Sequence, residues 1–356
     1  MELRTRRELT ALRLSAQRIA QSPPSSPAET VRWMLAMQAQ DLPGAMWSVG
    51  LRSPGSTESS VRAALATGEI VRSWPMRGTL HLVAPEDLGW MLELTRPRQA
   101  TWAATRRRDL GITDEQLALA ADTARDRLAG RVPVRRDALL SEFEAAGIPT
   151  SDQRGYHLLW NLAHDGVTVF GPPDGAHPTF VLFDEWIAQH RSLETDEALG
   201  EFAARYVRSH GPATDRDFAW WSSLSLTQAR RGLDIAGVSH IEREGVRYYF
   251  AEETTPARAS LHALPGFDEF VLGYQDRAAP LTPEQFALIV PGGNGVFRPT
   301  IVDAGLVTGT WRRTETAKTV RIEAHPFGTW PDRAATAFAR AASRLARFLG
   351  KPLATE

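Results

Sequence analysis

Apolar residues recur at helical spacing in the first part of the chain, between breaks rich in serine, proline and glycine. Ser26 is a favoured N-cap residue and Pro27 a favoured first helical residue, so a second helix is predicted to begin there and to reach the glutamines at 38 and 40. Two β-prone runs around Pro75-Met76-Arg77-Gly78 then predict a hairpin. The predicted elements are helices over residues 4–20, 27–40 and 57–67 and strands over 70–74 and 79–83. Three helices and a hairpin are the element order of a winged helix.

This order of elements is predicted twice more along the chain. The second copy comprises helices over residues 85–109, 113–129, 135–146 and 152–165 and strands over 167–170 and 179–183. The third comprises helices over 195–209, from Thr214 to Trp221 and from Ser225 to Ala236, and strands over 238–243 and 246–251. The copies share element order and not sequence, so they predict tandem structural units without a close sequence repeat.

The pattern changes beyond Pro256, where β-prone segments alternate with Gly, Pro and Asn turns and predict a small sheet or barrel. These segments are 267–273, 286–290, 300–302, 306–312 and 319–323, followed by a final helix over Asp332–Leu349. The predicted fold class is α+β, with three tandem winged-helix units and a C-terminal β-rich, barrel-like region. The predicted domains are residues 1–95, 96–190, 191–255 and 256–356.

Composition narrows the class of protein. A chain of 356 residues is too long for one small hydrophobic core and is expected to divide into two or more domains. The absence of cysteine excludes disulfides, a thiol nucleophile and a thiolate metal site. Neither a signal-peptide pattern nor an apolar run of membrane-spanning length is visible, so we expect a cytoplasmic, nucleoid-associated protein without a membrane partner.

The net charge of −1 hides a segregated distribution of charge. Residues 96–108 hold five arginines and no acid, whereas residues 184–201 hold six acids and only one arginine. Arginine makes bidentate phosphate contacts, so Arg106 and Arg107 are candidate DNA-binding residues. A genome rich in G and C would also explain the preference for arginine over lysine. The segregation of charge along the chain is the observation that favours a basic face.

Two glutamines, Gln38 and Gln40, lie within an apolar stretch that runs from Met34 to Arg52. Residues two apart diverge on a regular helix but can face one cleft on an unwinding turn or an extended segment. Pro43 and Gly44 predict that the helix unwinds at this point. The structural alternative is that both amides satisfy backbone groups at a helix end.

The Gln38-Ala39-Gln40 tripeptide in its Leu-x-Met-Gln-Ala-Gln context resembles the Gln-apolar-Gln motif of the AlkZ/YcaQ family of winged-helix DNA glycosylases. Further segments that resemble the family lie at residues 76–83, 264–277 and 297–311, so the resemblance covers almost the whole chain. The YcaQ branch has aspartate at the second motif position, where this chain has Gln40 followed by Asp41. The resemblance therefore points to the AlkZ branch, which implies action on bulky or crosslinking alkylguanine lesions.

Glutamine is a poor general acid or base because its amide does not titrate near neutrality. An N7- or N3-alkylated purine is already cationic and leaves as a neutral base, so its excision needs only an oriented water and stabilisation of an oxocarbenium-like sugar. With Gln38 and Gln40 as catalytic residues, we expect a monofunctional glycosylase that leaves an abasic site and needs no cofactor. Lys318 and Lys351 both lie in the C-terminal part, and neither is well placed for a Schiff base. The alternative is a non-catalytic winged-helix regulator.

Further candidates are less specific. Asp41 is either an assisting group or a helix-end residue, and His81 lies either near the cleft or in an ordinary hydrogen-bonded position. Arg77, at the tip of the first hairpin, is a candidate phosphate ligand. No metal site is predicted, since His157 and His164 have no carboxylate at ligand spacing.

Two segments of the C-terminal part remain. Residues 291–299 are predicted as a hairpin whose residues Asn294, Phe297 and Arg298 enter a DNA groove, an ordinary hairpin turn being the alternative. Asp268 and Glu269 are interpreted as structural acids with Arg277 as their partner. The expected partner of the whole chain is duplex DNA with alkylated bases, bound by a monomer.

Overall fold

A computed structural model describes residues 5–21 and 23–354. The chain divides into two compact units: the described parts of Met1–Arg62, Leu199–Trp221 and Ser225–Glu356 form unit 1, and Ala63–Ala198 with Ser222–Leu224 forms unit 2. None of the helices within the described ranges has the length and apolar character needed to cross a membrane.

Helices and β-strands both contribute to the described chain. The helices are α1 (Arg6–Ala16), α2 (Pro27–Met34), α3 (Leu42–Arg52), α4 (Glu58–Thr67), α5 (Pro85–Asp109), α6 (Asp114–Leu128), α7 (Arg136–Ala145), α8 (Arg154–His164), α9 (Phe183–Trp186), α10 (Thr195–His210), α11 (Asp215–Ser222), α12 (Leu226–Ala236), α13 (Glu269–Leu272), α14 (Pro283–Ile289) and α15 (Asp332–Leu349). The strands are β1 (Ala36–Gln38), β2 (Val71–Met76), β3 (Thr79–Val83), β4 (Val134–Arg135), β5 (Thr168–Phe170), β6 (Thr179–Leu182), β7 (Ser239–Arg243), β8 (Val246–Phe250), β9 (Leu261–Leu264), β10 (Thr300–Asp303), β11 (Leu306–Glu315) and β12 (Val320–Pro326).

The start of α2 is as predicted. The Ser26 hydroxyl accepts the N–H of Glu29, and the Glu29 carboxylate accepts the N–H of Ser26, which satisfies two exposed helix donors. The predicted start of the first helix, Arg4, lies outside the described residues; α1 begins at Arg6 behind a capping box formed by Thr5 and Glu8.

The end of α2 corrects the prediction that this helix reaches the glutamines. It stops at Met34, where Leu35 takes φ 66° and ψ −51°; Gln38 then ends strand β1, and Gln40 lies in a bend beyond it. Unwinding at Pro43 and Gly44 is also wrong, because both residues lie in the first turn of α3. A proline is tolerated there because the first helical N–H groups have no partner within the helix.

The C-terminal sheet of unit 1 is open, with the antiparallel order β12-β11-β10-β9. Its outer strands β9 and β12 do not pair with each other, so the predicted barrel is wrong. The closing helix α15 has the predicted bounds, and its apolar face packs on β9. On this face Phe348 lies 5.2 Å from the ring of Trp47 in α3.

Two segments predicted as strands are helices. Asp268 accepts the N–H of Phe270 and starts α13, and Thr282 forms a capping box with Gln285 at the start of α14. The local caps outweigh the β-propensity of the apolar residues that follow them.

The third predicted group of elements is present as α10, α11, α12 and the β7–β8 hairpin. Its helices enclose an aromatic cluster, in which the ring of Tyr206 lies 4.9 Å from that of Trp221. Trp221 is fully buried.

Unit 2 contains strands in the order β3-β2-β5-β6-β4 with helices α6, α7 and α8 beside them. Its hydrophobic core contains residues of the strands and of the helices, among them Trp74, Leu139, Phe143, Leu158 and Phe180. The β2–β3 hairpin turns at Arg77 and Gly78, with φ of 57° and 63°. Positive φ at both central residues matches the twist of the flanking strands, although arginine adopts this conformation less readily than glycine.

Candidate functional site

The glutamine motif lies in unit 1 at the end of a short strand, with Gln40 in the bend that follows. Gln38 is half-buried at the end of β1, Ala39 is fully buried and Gln40 is exposed. Side chains alternate along an extended chain, so burial of Ala39 between two less buried glutamines is the pattern expected when both amides lie on the opposite side. The chain is extended up to Gln38, and the burial pattern is the one expected if both amides face one ligand.

The residue before the motif strand is conformationally strained. Leu35 has φ 66° and ψ −51°, a combination that residues other than glycine rarely adopt, and its side chain is fully buried. Phe267, with φ 60°, precedes Asp268 and Glu269, and Glu269 contacts the motif. Each such residue costs about 1–3 kcal/mol, and such residues are concentrated at functional sites.

A buried carboxylate contacts the motif strand. The Glu269 side chain is 1% exposed, and its Oε1 accepts the backbone N–H of Gln38 at 2.9 Å. Its Oε2 accepts Nε1–H of Trp221 at 2.8 Å and lies 3.6 Å from Nε2 of His210. Sequence reasoning classed Glu269 as structural and missed this contact; the available signal was an acidic pair inside the apolar run from Leu264 to Tyr274.

The neighbouring Asp268 forms a buried ion pair with Arg52, a residue of α3. Two guanidinium nitrogens of Arg52 donate to its two oxygens at 2.8 and 2.9 Å, and Ser48 donates at 2.7 Å. Arg52 also donates to the carbonyl and side-chain oxygens of Gln17. The prediction of Arg277 as the partner of Asp268 is wrong; the pair with Arg52 ties α3 to the segment that carries Glu269.

Asp41 is exposed and lies at the N-cap position of α3, without a side-chain capping hydrogen bond. A Cβ at Gly44 would lie 2.6 Å from its Oδ2, so the carboxylate occupies space that only glycine leaves open. This position is compatible with both roles considered for Asp41.

Residues 291–299 do not form a hairpin between strands, as predicted, but join α14 to β10 through a 3₁₀ turn over Pro291–Gly293. The Asn294 side chain accepts the N–H of Val296, and Arg298 is exposed. The ring of Phe297 is half-buried and packs 6.0 Å from that of Phe267. Val296 is the more exposed apolar residue of this loop, at 54%.

Arg77 and His81 lie together in unit 2. A guanidinium nitrogen of Arg77 is 2.8 Å from Nε2 of His81, whose Nδ1 is 2.9 Å from the Thr79 carbonyl. A guanidinium only donates and a carbonyl only accepts, so these contacts define a neutral imidazole with its proton on Nδ1. His81 is fully buried, and Arg77 is half-buried at the hairpin turn.

The basic segment of residues 96–108 forms the C-terminal half of α5 in unit 2. Arg106 is exposed and donates to Gln153 at 2.8 Å, and Arg107 pairs with Asp114. Arg98 lies over the ring of Trp102, which is 53% exposed. An exposed aromatic ring can stack on bases while the arginines around it contact phosphates.

Across the described ranges, no group of three or more His, Asp or Glu side chains is placed to hold a metal ion. His164, one of the two histidines considered above, is 4% exposed in the core of unit 2. Burial, with a smaller contribution from the charge of Arg96, lowers the pKa of His164 to about 3.

Comparisons with known proteins find similar sequences and a similar structure over most of the chain. The family model described as DNA glycosylase AlkZ-like matches residues 31–348. The interstrand DNA cross-link repair glycosylase of Streptomyces sahachiroi is 27% identical over 326 residues, which are 86% of this chain and 87% of that protein. The solved structure of Streptomyces sahachiroi DNA glycosylase AlkZ has a TM-score of 0.81 and 25% identity, covering 99% of this chain and 100% of that chain. The chain therefore belongs to the AlkZ-like family of DNA glycosylases, enzymes that hydrolyse N-glycosyl bonds.

Proposed function

We propose that this enzyme hydrolyses the N-glycosidic bond of cationic purines alkylated at N7 or N3, leaving an abasic site, with Gln38 and Gln40 as its catalytic residues. The observation that carries the proposal is the burial pattern of the motif, in which Ala39 is buried between two less buried glutamines, as expected if both amides lie on one side. The name of the Streptomyces relative supports a further step, the unhooking of bulky or interstrand-crosslinked adducts.

The proposed reaction requires no group that titrates. The C1′–N bond breaks with its electron pair moving to the base nitrogen, which neutralises the cationic base. A water held by the carbonyl oxygens of Gln38 and Gln40 supplies its oxygen to C1′ and releases a proton to solvent. The same oxygens present partial negative charge to the oxocarbenium-like sugar as it develops. Asp41 and His81 are the candidates to assist.

DNA binding is assigned to residues of both units. Arg77, Arg106 and Arg107 contact backbone phosphates, and the loop carrying Asn294, Phe297 and Arg298 enters a groove. We also propose that the three groups of elements are tandem winged-helix units, with the domain bounds given above, and that the enzyme acts as a monomer near the nucleoid. Family membership does not favour the alternative of a non-catalytic regulator.

The test is single-turnover excision from duplexes that each carry one defined adduct, with abasic sites detected by alkaline cleavage. We expect cleavage above the spontaneous rate from N7-methylguanine or from a bulky or crosslinked N7 adduct, and none from undamaged guanine. Absence of excision from the N7-methylguanine, bulky N7 and crosslinked N7 duplexes would overturn the assignment of N7-alkylated purines as substrates.

A further inference from the structure

Glu269 links the glutamine motif to the buried part of unit 1. It is separated from Gln38 by 231 positions in the sequence, yet its Oε1 accepts the Gln38 N–H at 2.9 Å. Its second oxygen accepts Nε1–H of Trp221 at 2.8 Å, and its own backbone carbonyl accepts Nε2–H of Gln17 at 3.2 Å. The side chain of Glu269 is therefore held at two points and its backbone at a third, which fixes the position and direction of the motif backbone.

The local sequence alone does not hold the motif in place. Strand β1 has three residues, it follows the strained Leu35, and Gln40 is already in a bend. A short segment after a strained residue relaxes unless its surroundings hold it. Hydrogen bonds to an ionised acceptor are roughly twice as strong as neutral ones, and Glu269 supplies one at the first motif residue.

We propose that Glu269 is a positioning residue for catalysis. Through its hydrogen bond to the Gln38 N–H, it holds Gln38-Ala39-Gln40 in the geometry in which the two amides orient water. The inference rests on the proposed function of the two glutamines. Glu269 itself is 1% exposed and acts through the motif backbone, not on the substrate.

The neighbours of Glu269 explain why glutamine would not replace it. Both oxygens face N–H donors, one from Gln38 and one from Trp221. An amide offers one acceptor oxygen and one NH₂, so Glu269→Gln must place its NH₂ against one of these donors. The variant keeps the size of the side chain while one of the two hydrogen bonds is replaced by a donor–donor contact.

Removal of the Trp221 donor should restore the missing acceptor to Gln38. In a Trp221→Phe background, the NH₂ of the amide introduced by Glu269→Gln can face the place where the indole N–H was. Its oxygen then accepts the Gln38 N–H as the carboxylate does. The loss caused by Glu269→Gln should therefore be large in the parent protein and small in this background, a pattern that general destabilisation does not produce.

The experiment measures single-turnover excision and the Kd for lesion DNA in four full-length proteins: the parent, Glu269→Gln, Trp221→Phe and the double variant. We expect Glu269→Gln to lower the excision rate at least tenfold and to change Kd less than threefold. In the Trp221→Phe background the same substitution should lower the rate less than threefold. Asp268→Asn is the matched control, since its carboxylate contacts Arg52, Ser48 and the Phe270 N–H but not the motif.

Three results would overturn the inference. They are a Glu269→Gln rate within twofold of the parent, an equal loss in both backgrounds, and an equal loss per folded molecule in Asp268→Asn. If Glu269→Gln does not fold, hydrogen exchange of the Gln38 amide in Trp221→Phe and in the parent decides, because strong protection in both is required. Inactivity of the parent on every alkylated duplex would instead count against the proposed function, and the two failures are thus distinguishable.

Discussion

Replacement of His164 by phenylalanine should remove part of the acid sensitivity of unit 2. His164 is 4% exposed, neither ring nitrogen has a hydrogen-bond partner, and its ring lies 3.9 Å from that of Trp160. Burial is the main reason that its pKa falls from 6.5 to about 3, and the positive charge of Arg96 adds to the effect. The folded protein therefore prefers the neutral imidazole, whereas the unfolded chain binds a proton near pH 6.5.

The sign of the effect follows from this difference in proton binding. Because the folded-state pKa is the lower one, the stabilising contribution is complete above pH 6.5 and is lost as pH falls from 6.5 towards 3. One pKa unit corresponds to about 1.4 kcal/mol, so roughly 2 kcal/mol is lost by pH 5 and about 4–5 kcal/mol by pH 3. His262 in unit 1, whose pKa burial lowers to about 4, contributes a loss of its own that the substitution leaves in place.

Chemical denaturation at pH 7 and pH 5 measures this difference for the parent and for His164→Phe. The fall in unfolding free energy between the two pH values should be about 2 kcal/mol smaller in the variant. At pH 7 the variant should be as stable as the parent or more stable, because two unpaired buried nitrogens are removed and the ring still packs on Trp160. The exposed His177→Gln serves as the control substitution. A change in pH dependence below about 0.5 kcal/mol would refute this account of the buried imidazole.

Two further predictions concern DNA binding and packing. Arg77→Ala should weaken binding to all duplex sequences and lower the slope of log K against log salt by about one, because one phosphate contact is lost; an unchanged slope would exclude Arg77 as a phosphate ligand. Gly50→Ala should cost about 1–3 kcal/mol in denaturation experiments. The added methyl would overlap the Phe348 ring, which is 3% exposed and held against Trp47; a stability equal to that of the parent would show that this contact can yield.

Local signals predicted many of the helices. Ser26 and Ser225 form the capping boxes that their sequences indicate, and α15 runs over Asp332–Leu349 as its apolar spacing requires. Such elements depend on residues three or four positions apart, which the sequence shows directly.

Elements fixed by distant contacts were not predictable in this way. Pro43 and Gly44 suggest a helix end, yet both lie in the first turn of α3, and the far end of that helix is held through Arg52 by Asp268, 216 positions away. The apolar residues after Asp268 have strand propensity, but the Asp268 cap and burial make them a helix. Tertiary contacts of this kind override propensity.

The same distinction between local signals and distant contacts applies to the candidate site. Gln38 and Gln40 are recognisable from a short motif, and the strand that carries Gln38 begins after the end of α2 at Met34. Glu269, which contacts that motif from the other end of the chain, is visible only in the folded protein.

The most direct test of the central claim is the single-turnover rate of base excision in Gln38→Ala and Gln40→Ala, measured on the alkylated duplex that the parent cleaves best. Each substitution should lower the rate on the order of 100-fold, as expected for loss of an oriented polar group at a developing charge. Binding of lesion DNA should be retained, and Gln275→Ala, at an exposed glutamine outside the motif, should excise at the parental rate. Parental rates in both motif variants would contradict the assignment of catalysis to the two amides.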